Sequence, residues 1–171
     1  MDMAVAGLAL LVLAPVMLLI AIAIRLESEG PVLFRQERIG LGGKSFTMYK
    51  FRSMRADRRS GGERRTKNRS GDRRRTHKSV HDPRVTVTGK FIRRTSLDEL
   101  PQLWNVLRGD MSLIGPRPEL PKIVARYAPW QHYRHVVRPG ITGWWQVNGR
   151  SDRPLHENTE IDLYYIEHLS L

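Results

Sequence analysis

The 171-residue sequence predicts an α+β fold, mostly helical: an N-terminal membrane helix, a small β-hairpin and a compact polar domain with amphipathic helices. Three observations predict it. Ala4–Ile24 is a run of 21 uncharged, mostly aliphatic residues. Two strings rich in β-branched and aromatic residues, "PVLFRQERIG" and "KSFTMYKFRSM", flank a glycine pair. Further on, Leu100, Leu103, Trp104 and Leu107 recur at helical spacing.

The apolar run comes first. Twenty-one residues make about 30 Å of helix, enough to cross the hydrocarbon of a bilayer. A soluble core helix would carry a polar face, and this run has none. Asp2 stands where a cleaved signal peptide needs positive charge, and no small-residue cleavage site precedes "RLESEG". Pro15 lies at the centre, where it removes a backbone hydrogen bond. Either a kinked span or a helix that bends back to its own face fits. Arg25 and the basic chain beyond it put the C-terminal side in the cytoplasm.

A hairpin is expected over residues 32–52, turning at "LGGK". Residues 55–80 then hold almost nothing aliphatic and half-repeat "RSGGERR" as "RSGDRRR". Such a stretch cannot bury enough surface to fold alone and reads as a basic flexible loop. It also suits anionic lipid. Lys plus Arg outnumber Asp plus Glu by 29 to 17, so the whole chain should attract anions. The chain has no cysteine, which excludes disulfides and Cys-ligated zinc.

Order returns at Asp82-Pro83, a turn signal. In "TSLDELPQL", Ser96 and Glu99 have capping-box spacing and predict a helix running to Arg108-Gly109-Asp110. Pro101 falls near its first turn, where a missing amide is tolerated. The same stretch allows a second reading. Asp98 and Glu99 put two carboxylates at a helix mouth, just after Arg93 and Arg94. Free amides and the positive dipole end favour anions there. An ionised aspartate in that field can attack phosphorus, and the glutamate can hold magnesium, a hard cation. On spacing alone the two readings stay open.

The blocks "GPVLFRQERIG" (30–40), "YKFRSM" (49–54), "DPRVT" (82–86), "RRTSLDELPQLWNVLRGDMSLIGPRP" (93–118), "RPGITGWWQVNGR" (138–150) and "DLYYIEHLSL" (162–171) follow one another over nearly the whole length. In this order the chain resembles the monotopic bacterial phosphoglycosyl transferases, the bacterial sugar transferase family. The resemblance implies transfer of a sugar 1-phosphate from a UDP-sugar to undecaprenyl phosphate, with release of UMP and a need for Mg2+. This would be the first membrane step of exopolysaccharide, O-antigen or glycoprotein glycan assembly.

By the same resemblance Asp98 is the nucleophile that carries the phospho-sugar, and Glu99 its acidic partner at the metal. Arg93, Arg117 and Arg150 are carried over as substrate-binding, with Lys50, Arg138 and Asp162 beside them. Arg93 can clamp a diphosphate with its planar fork. Arg117 lies between two prolines that restrict its backbone, and Arg150 follows Gly149, where backbone can approach a ligand. The resemblance also implies that residues 1–28 form a re-entrant membrane helix broken at Pro15. Residues 29–171 would then be the catalytic domain on the cytoplasmic face of the bacterial inner membrane, in contact with its lipids. No nucleic-acid partner is implied, and homo-oligomerisation is left open.

The remaining features are minor. His132 and His135 read as surface histidines, Trp144-Trp145 as an interfacial anchor in preference to core filling, and residues 157–171 as an amphipathic helix with Ile161, Tyr164, Tyr165 and Leu169 on one side. Against the family pattern, no basic pair precedes Asp2, Ala14 replaces the serine often found before the proline, and relatives usually continue past Leu171. Two rivals compete: a nucleic-acid or anionic-lipid binder, and a non-catalytic membrane scaffold. The first explains the charge but not the apolar run. The second does not account for an intact "LDEL" and "GPRP".

Overall fold

The computed structural model describes residues 1–55, 82, 84–148 and 159–168, so the basic loop lies largely outside the described residues. The fold is α+β and mostly helical. Helix α1 (Asp2–Glu27) leads into a hairpin of β1 (Leu33–Ile39) and β2 (Ser45–Phe51). Then come α2 (Val87–Arg94), a 3₁₀ turn at Leu97–Glu99, α3 (Gln102–Leu107) and β3 (Ser112–Ile114). Helix α4 (Pro121–Val124), a 3₁₀ segment at Pro129–Val136, β4 (Gly140–Thr142), α5 (Trp144–Asn148) and α6 (Glu160–Glu167) complete it.

Helix α1 runs uninterrupted through Pro15, so the expected break at that residue is not seen. At about 1.5 Å per residue its 26 residues measure about 39 Å. It is long and apolar enough to cross a membrane, and most of its large side chains are exposed. One stripe, however, is packed on the polar domain. Ala6 joins Met48, Leu103, Val106 and Met111 in one core cluster. Ile20 and Ile24 join Phe51 and Ile92 in a second. Leu100 touches both clusters and welds them together.

Both ends of α1 are also tied to that domain. The Asp2 carboxylate accepts hydrogen bonds from the Ser112 hydroxyl and, at 3.4 Å, from the Leu113 amide. The Glu27 carboxylate takes the amides of Val87 and Thr88, at 2.5 and 2.9 Å, and so caps the free donors at the start of α2. Arg52 grips the chain just after α1, donating to the carbonyls of Ser28 and Glu29, each at 2.7 Å.

The hairpin forms as expected, with Leu33 opposite Phe51 and Ile39 opposite Ser45. Its turn uses Gly42 and Gly43, both at positive φ (62° and 73°). Lys50, Met48 and Phe46 face Phe34, Gln36 and Arg38 across the ladder and share one side of the sheet with them. The short parallel pair β3–β4 was not legible in the sequence.

Four local expectations are corrected. Trp104 is half exposed, although it shares the apolar spacing of Leu100 and Leu103. Helix α3 is too short to present a long stripe, and it buries Gln102, Leu103, Asn105 and Val106. His135 is buried and stacked on Tyr127, while His132 is exposed. In α6 Asp162 is buried and Tyr164 half exposed, while Ile161 and Tyr165 of the expected apolar face are partly buried and Leu169 lies outside the described residues. Trp145 is in the core, whereas Trp144 is exposed and stacks on Tyr164.

Candidate active site

The dyad does not sit at the mouth of a capped helix. Ser96 has a left-handed backbone (φ 59°, ψ 15°) and its side chain makes no capping bond. The capping box is therefore absent, for a physical reason: Glu99 has other partners. Lys50 donates to Glu99 Oε1 at 2.6 Å, and Arg117 donates to the same oxygen at 3.2 Å. Two cations on one carboxylate offer more than the Ser96 amide can. The carboxylates instead stand on a tight 3₁₀ turn, and the α-helix begins only after Pro101.

Three segments, two of them distant in sequence, bring basic groups near that turn. Lys50 comes from the end of β2, Arg93 from the last turn of α2 and Arg117 from the loop after β3. Each is placed by a specific contact. Arg93 Nε donates to Ser53 Oγ at 2.7 Å, just past the end of β2. Helix α2 can approach so closely because Gly89 has no Cβ, which would lie 2.1 Å from the Ser53 carbonyl oxygen. Thr86 starts that helix with its hydroxyl on the Gly89 amide at 2.9 Å.

Asn105 is a residue that sequence reading missed. It is fully buried on α3, and its carboxamide behaves like a strand edge. Oδ1 accepts from the Tyr49 amide at 3.1 Å, and Nδ2 donates to the Thr47 carbonyl at 2.7 Å. This double bond pins the helix that follows Glu99 to the strand that carries Lys50. An asparagine inside a helical apolar run was the available signal, since helix interiors disfavour it.

The electrostatics divide the dyad. Burial pushes Glu99 up, but Arg117 and then Lys50 outweigh that and hold its carboxyl below the ordinary range. Burial pushes Asp98 up as well. Lys50 and Arg93 pull against it, Glu99 pushes with it, and the outcome is a raised carboxyl. Lys50 is lowered, first by burial and then by Arg117. Two neighbouring carboxyls thus have their affinities for protons driven apart, a common arrangement where one is to react.

The other expected site residues are scattered. Arg138 is exposed before β4 and makes no hydrogen bond or ion pair among the described residues. Asp162 is buried and bonded to Arg134 at 2.6 Å, not to the dyad. Arg150 lies outside the described residues. No group of three or more metal-ligating side chains occurs among the described residues. The adjacent carboxylates Asp98 and Glu99 are of the donor type that magnesium takes when phosphate oxygens and water complete its shell.

An acidic pair bonded by Lys50 and Arg117 thus stands in a fold whose first helix is long and apolar enough to cross a membrane. The chain belongs to the bacterial sugar transferase family, which matches it over residues 1–171. It is 46% identical over 180 residues to the UDP-glucose:undecaprenyl-phosphate glucose-1-phosphate transferase of Xanthomonas campestris pv. campestris, covering 99% of this chain and 34% of that one. It is 43% identical over 177 residues to a UDP-N-acetylgalactosamine-undecaprenyl-phosphate N-acetylgalactosaminephosphotransferase of Aeromonas hydrophila, covering 100% and 39%. It is 44% identical over 176 residues to the exopolysaccharide production protein PSS of Rhizobium leguminosarum bv. phaseoli, covering 95% and 82%. The chain thus spans little more than a third of the length of the first two relatives and most of the third.

Proposed function

We propose that this chain transfers a sugar 1-phosphate from a UDP-sugar to undecaprenyl phosphate. An Asp98 carboxylate oxygen attacks the sugar-bearing phosphorus, and the bond from that phosphorus to the bridging oxygen breaks. UMP leaves with the bridging oxygen. An oxygen of the polyprenyl phosphate then attacks the same phosphorus, forms the new diphosphate and frees Asp98. Raised by burial, Asp98 is a better nucleophile once ionised than a solvated aspartate.

The observation that carries this reading is that Lys50 and Arg117 both bond Glu99 beside Asp98, with Arg93 held on Ser53 near enough to pull the Asp98 carboxyl down. Lys50 and Arg117 have donors to spare for phosphate oxygens, and Arg93 offers the rest of its fork. Asp98 and Glu99 would hold magnesium, which when bound neutralises diphosphate charge. The names of the relatives support UDP-sugar and undecaprenyl phosphate as substrates.

Two contacts of α1 support a membrane placement. A helix bonded to one polar domain through both Asp2 and Glu27 does not carry its first residue across a bilayer while that domain stays outside. We read α1 as entering one leaflet and remaining there, with Arg25 marking the cytoplasmic face. The soluble donor and the head group of the lipid acceptor would then meet at that surface.

The test is UMP release by the purified chain in lipid nanodiscs, with magnesium, undecaprenyl phosphate and a panel of UDP-sugars. Release with one or more sugars, rising with the lipid acceptor, is the expected result. No release with any sugar would sink the assignment.

A further inference from the structure

Arg117 stands between Pro116 and Pro118, neither of which has an amide hydrogen. Its segment is instead held through its carbonyls. Those of four consecutive residues each accept from a different place. The Pro116 carbonyl takes the Gly140 amide at 2.9 Å, and that of Glu119 takes the Ile39 amide at 2.9 Å. Between them, Arg38 donates to the Pro118 carbonyl at 3.0 Å, and Arg134 donates to the Arg117 carbonyl at 2.7 Å. Of these four donors only Arg134 grips Arg117 itself.

Arg134 is 2% exposed and its ion-pair partner Asp162 is 1% exposed. A buried pair of this kind is rarely the most stable solution, since apolar residues of similar volume often do as well or better. This pair is imperfect even as an ion pair, because Asp162 Oδ1 is buried with no partner among the described residues. What the pair supplies is geometry. The planar fork of Arg134 reaches Asp162 Oδ2 at 2.6 Å, the Tyr127 hydroxyl at 2.6 Å and the Arg117 carbonyl. Segments around residues 117, 127 and 162 meet on one guanidinium.

We infer that the buried Arg134–Asp162 pair is the positioning device for Arg117, fixing its backbone so that its guanidinium meets Glu99. Asp162 acts one step back, by neutralising and orienting Arg134. Neither residue touches the reacting atoms. The inference rests on the transferase reading of the dyad.

A double-mutant cycle on turnover, read beside thermal melting in nanodiscs, tests it. Arg134→Lys keeps a cation beside Asp162 but loses the fork that holds three acceptors. It should lower kcat/KM about tenfold to a hundredfold, the scale of a sub-ångström to 1 Å misplacement. The loss should divide between kcat and KM as it does in Arg117→Lys. On an Arg117→Lys background the same substitution should cost less than about threefold in turnover, while its effect on melting persists.

Equal losses on both backgrounds would overturn the inference, as would parental turnover in Arg134→Lys. If Arg134→Lys does not fold, the cycle is run with Asp162→Asn, which keeps the shape and an acceptor for Arg134, and the same outcomes decide. A parent chain that releases no UMP brings down the transferase reading and the inference with it. A working parent with an equally active Arg134 variant brings down the inference alone.

Discussion

Lys50 Nζ lies 2.6 Å from Glu99 Oε1, joining residues 49 positions apart, and Arg117 completes a three-membered ion cluster on the same oxygen. Glu99 is thus the anion around which two basic side chains are organised, whatever it also holds. Glu99→Gln keeps the shape but removes the charge. It should lower turnover by a hundredfold or more and cost about 1–3 kcal/mol of stability, since hydrogen bonds to charged groups are lost. The measurements are UMP release and thermal melting. A Glu99→Gln chain with near-parental turnover and unchanged magnesium dependence would reduce this residue to a scaffold role.

Asp98→Asn should abolish turnover and the covalent phospho-sugar adduct, yet leave melting at pH 7 unchanged or slightly higher. Burial already disfavours the charged form of Asp98, so a neutral isostere gives up little. An adduct that still forms on Asp98→Asn, seen by intact-mass spectrometry, would move the nucleophile elsewhere.

The raised Asp98 carboxyl also sets a pH dependence. The nucleophile must be ionised, so the acid limb of kcat/KM should lie above the ordinary aspartate range of about 3.9. The sign for stability is opposite. An acid raised by folding contributes stability below its unfolded value, and that contribution is lost as pH rises through the folded one. Melting of Asp98→Asn relative to parent should therefore improve as pH rises across that window. A kcat/KM profile flat down to pH 4 would contradict the raised carboxyl.

Ser96 is the one non-glycine residue at positive φ among the described residues. Ser96→Ala should change stability by less than about 0.5 kcal/mol, because no capping bond is lost, whereas true caps cost about 1 kcal/mol. Ser96→Gly should be neutral or stabilising, as glycine relieves the left-handed strain. A loss of about 1 kcal/mol in Ser96→Ala, by denaturant melting, would restore the capping box.

Cysteine labelling tests the placement of α1 in this cysteine-free chain. Met3→Cys and Lys44→Cys, both exposed, should react with a membrane-impermeant reagent from the same side of oriented vesicles. Pro15→Leu restores the hydrogen bond that proline denies the preceding turn. Combined with Asp2→Leu, which frees the N-terminal end, it should shift Met3→Cys labelling toward the opposite side. Labelling of Met3→Cys from the opposite side in the parent would mean that α1 spans.

The parts of this protein governed by local periodicity could be read before folding was considered. The apolar run became α1, the alternation around Gly42-Gly43 became the hairpin, and Gly109 closed α3 at φ 81°. The Asp98-Glu99 pair stood out because adjacent carboxylates in a basic chain are visible as such. The capping box failed although its spacing was right. A spacing rule counts only the partners a residue finds within one turn, and Glu99 found stronger ones 49 and 18 positions away.

Which residues are inside the site, and which only support it, belonged to the tertiary structure. The sequence named Asp162 and Arg138 without their surroundings: packing bonds the first to Arg134 and leaves the second exposed before β4. Asn105 carried no catalytic signature, yet it registers α3 against β2. The sequence by itself determined the long apolar helix, the hairpin and the acidic identity of the dyad, because each follows from residue type and short-range spacing. Only the folded chain decided which cations reach the dyad and what holds them there. Those contacts depend on hydrogen bonds between segments far apart in sequence, whose partners no local pattern encodes.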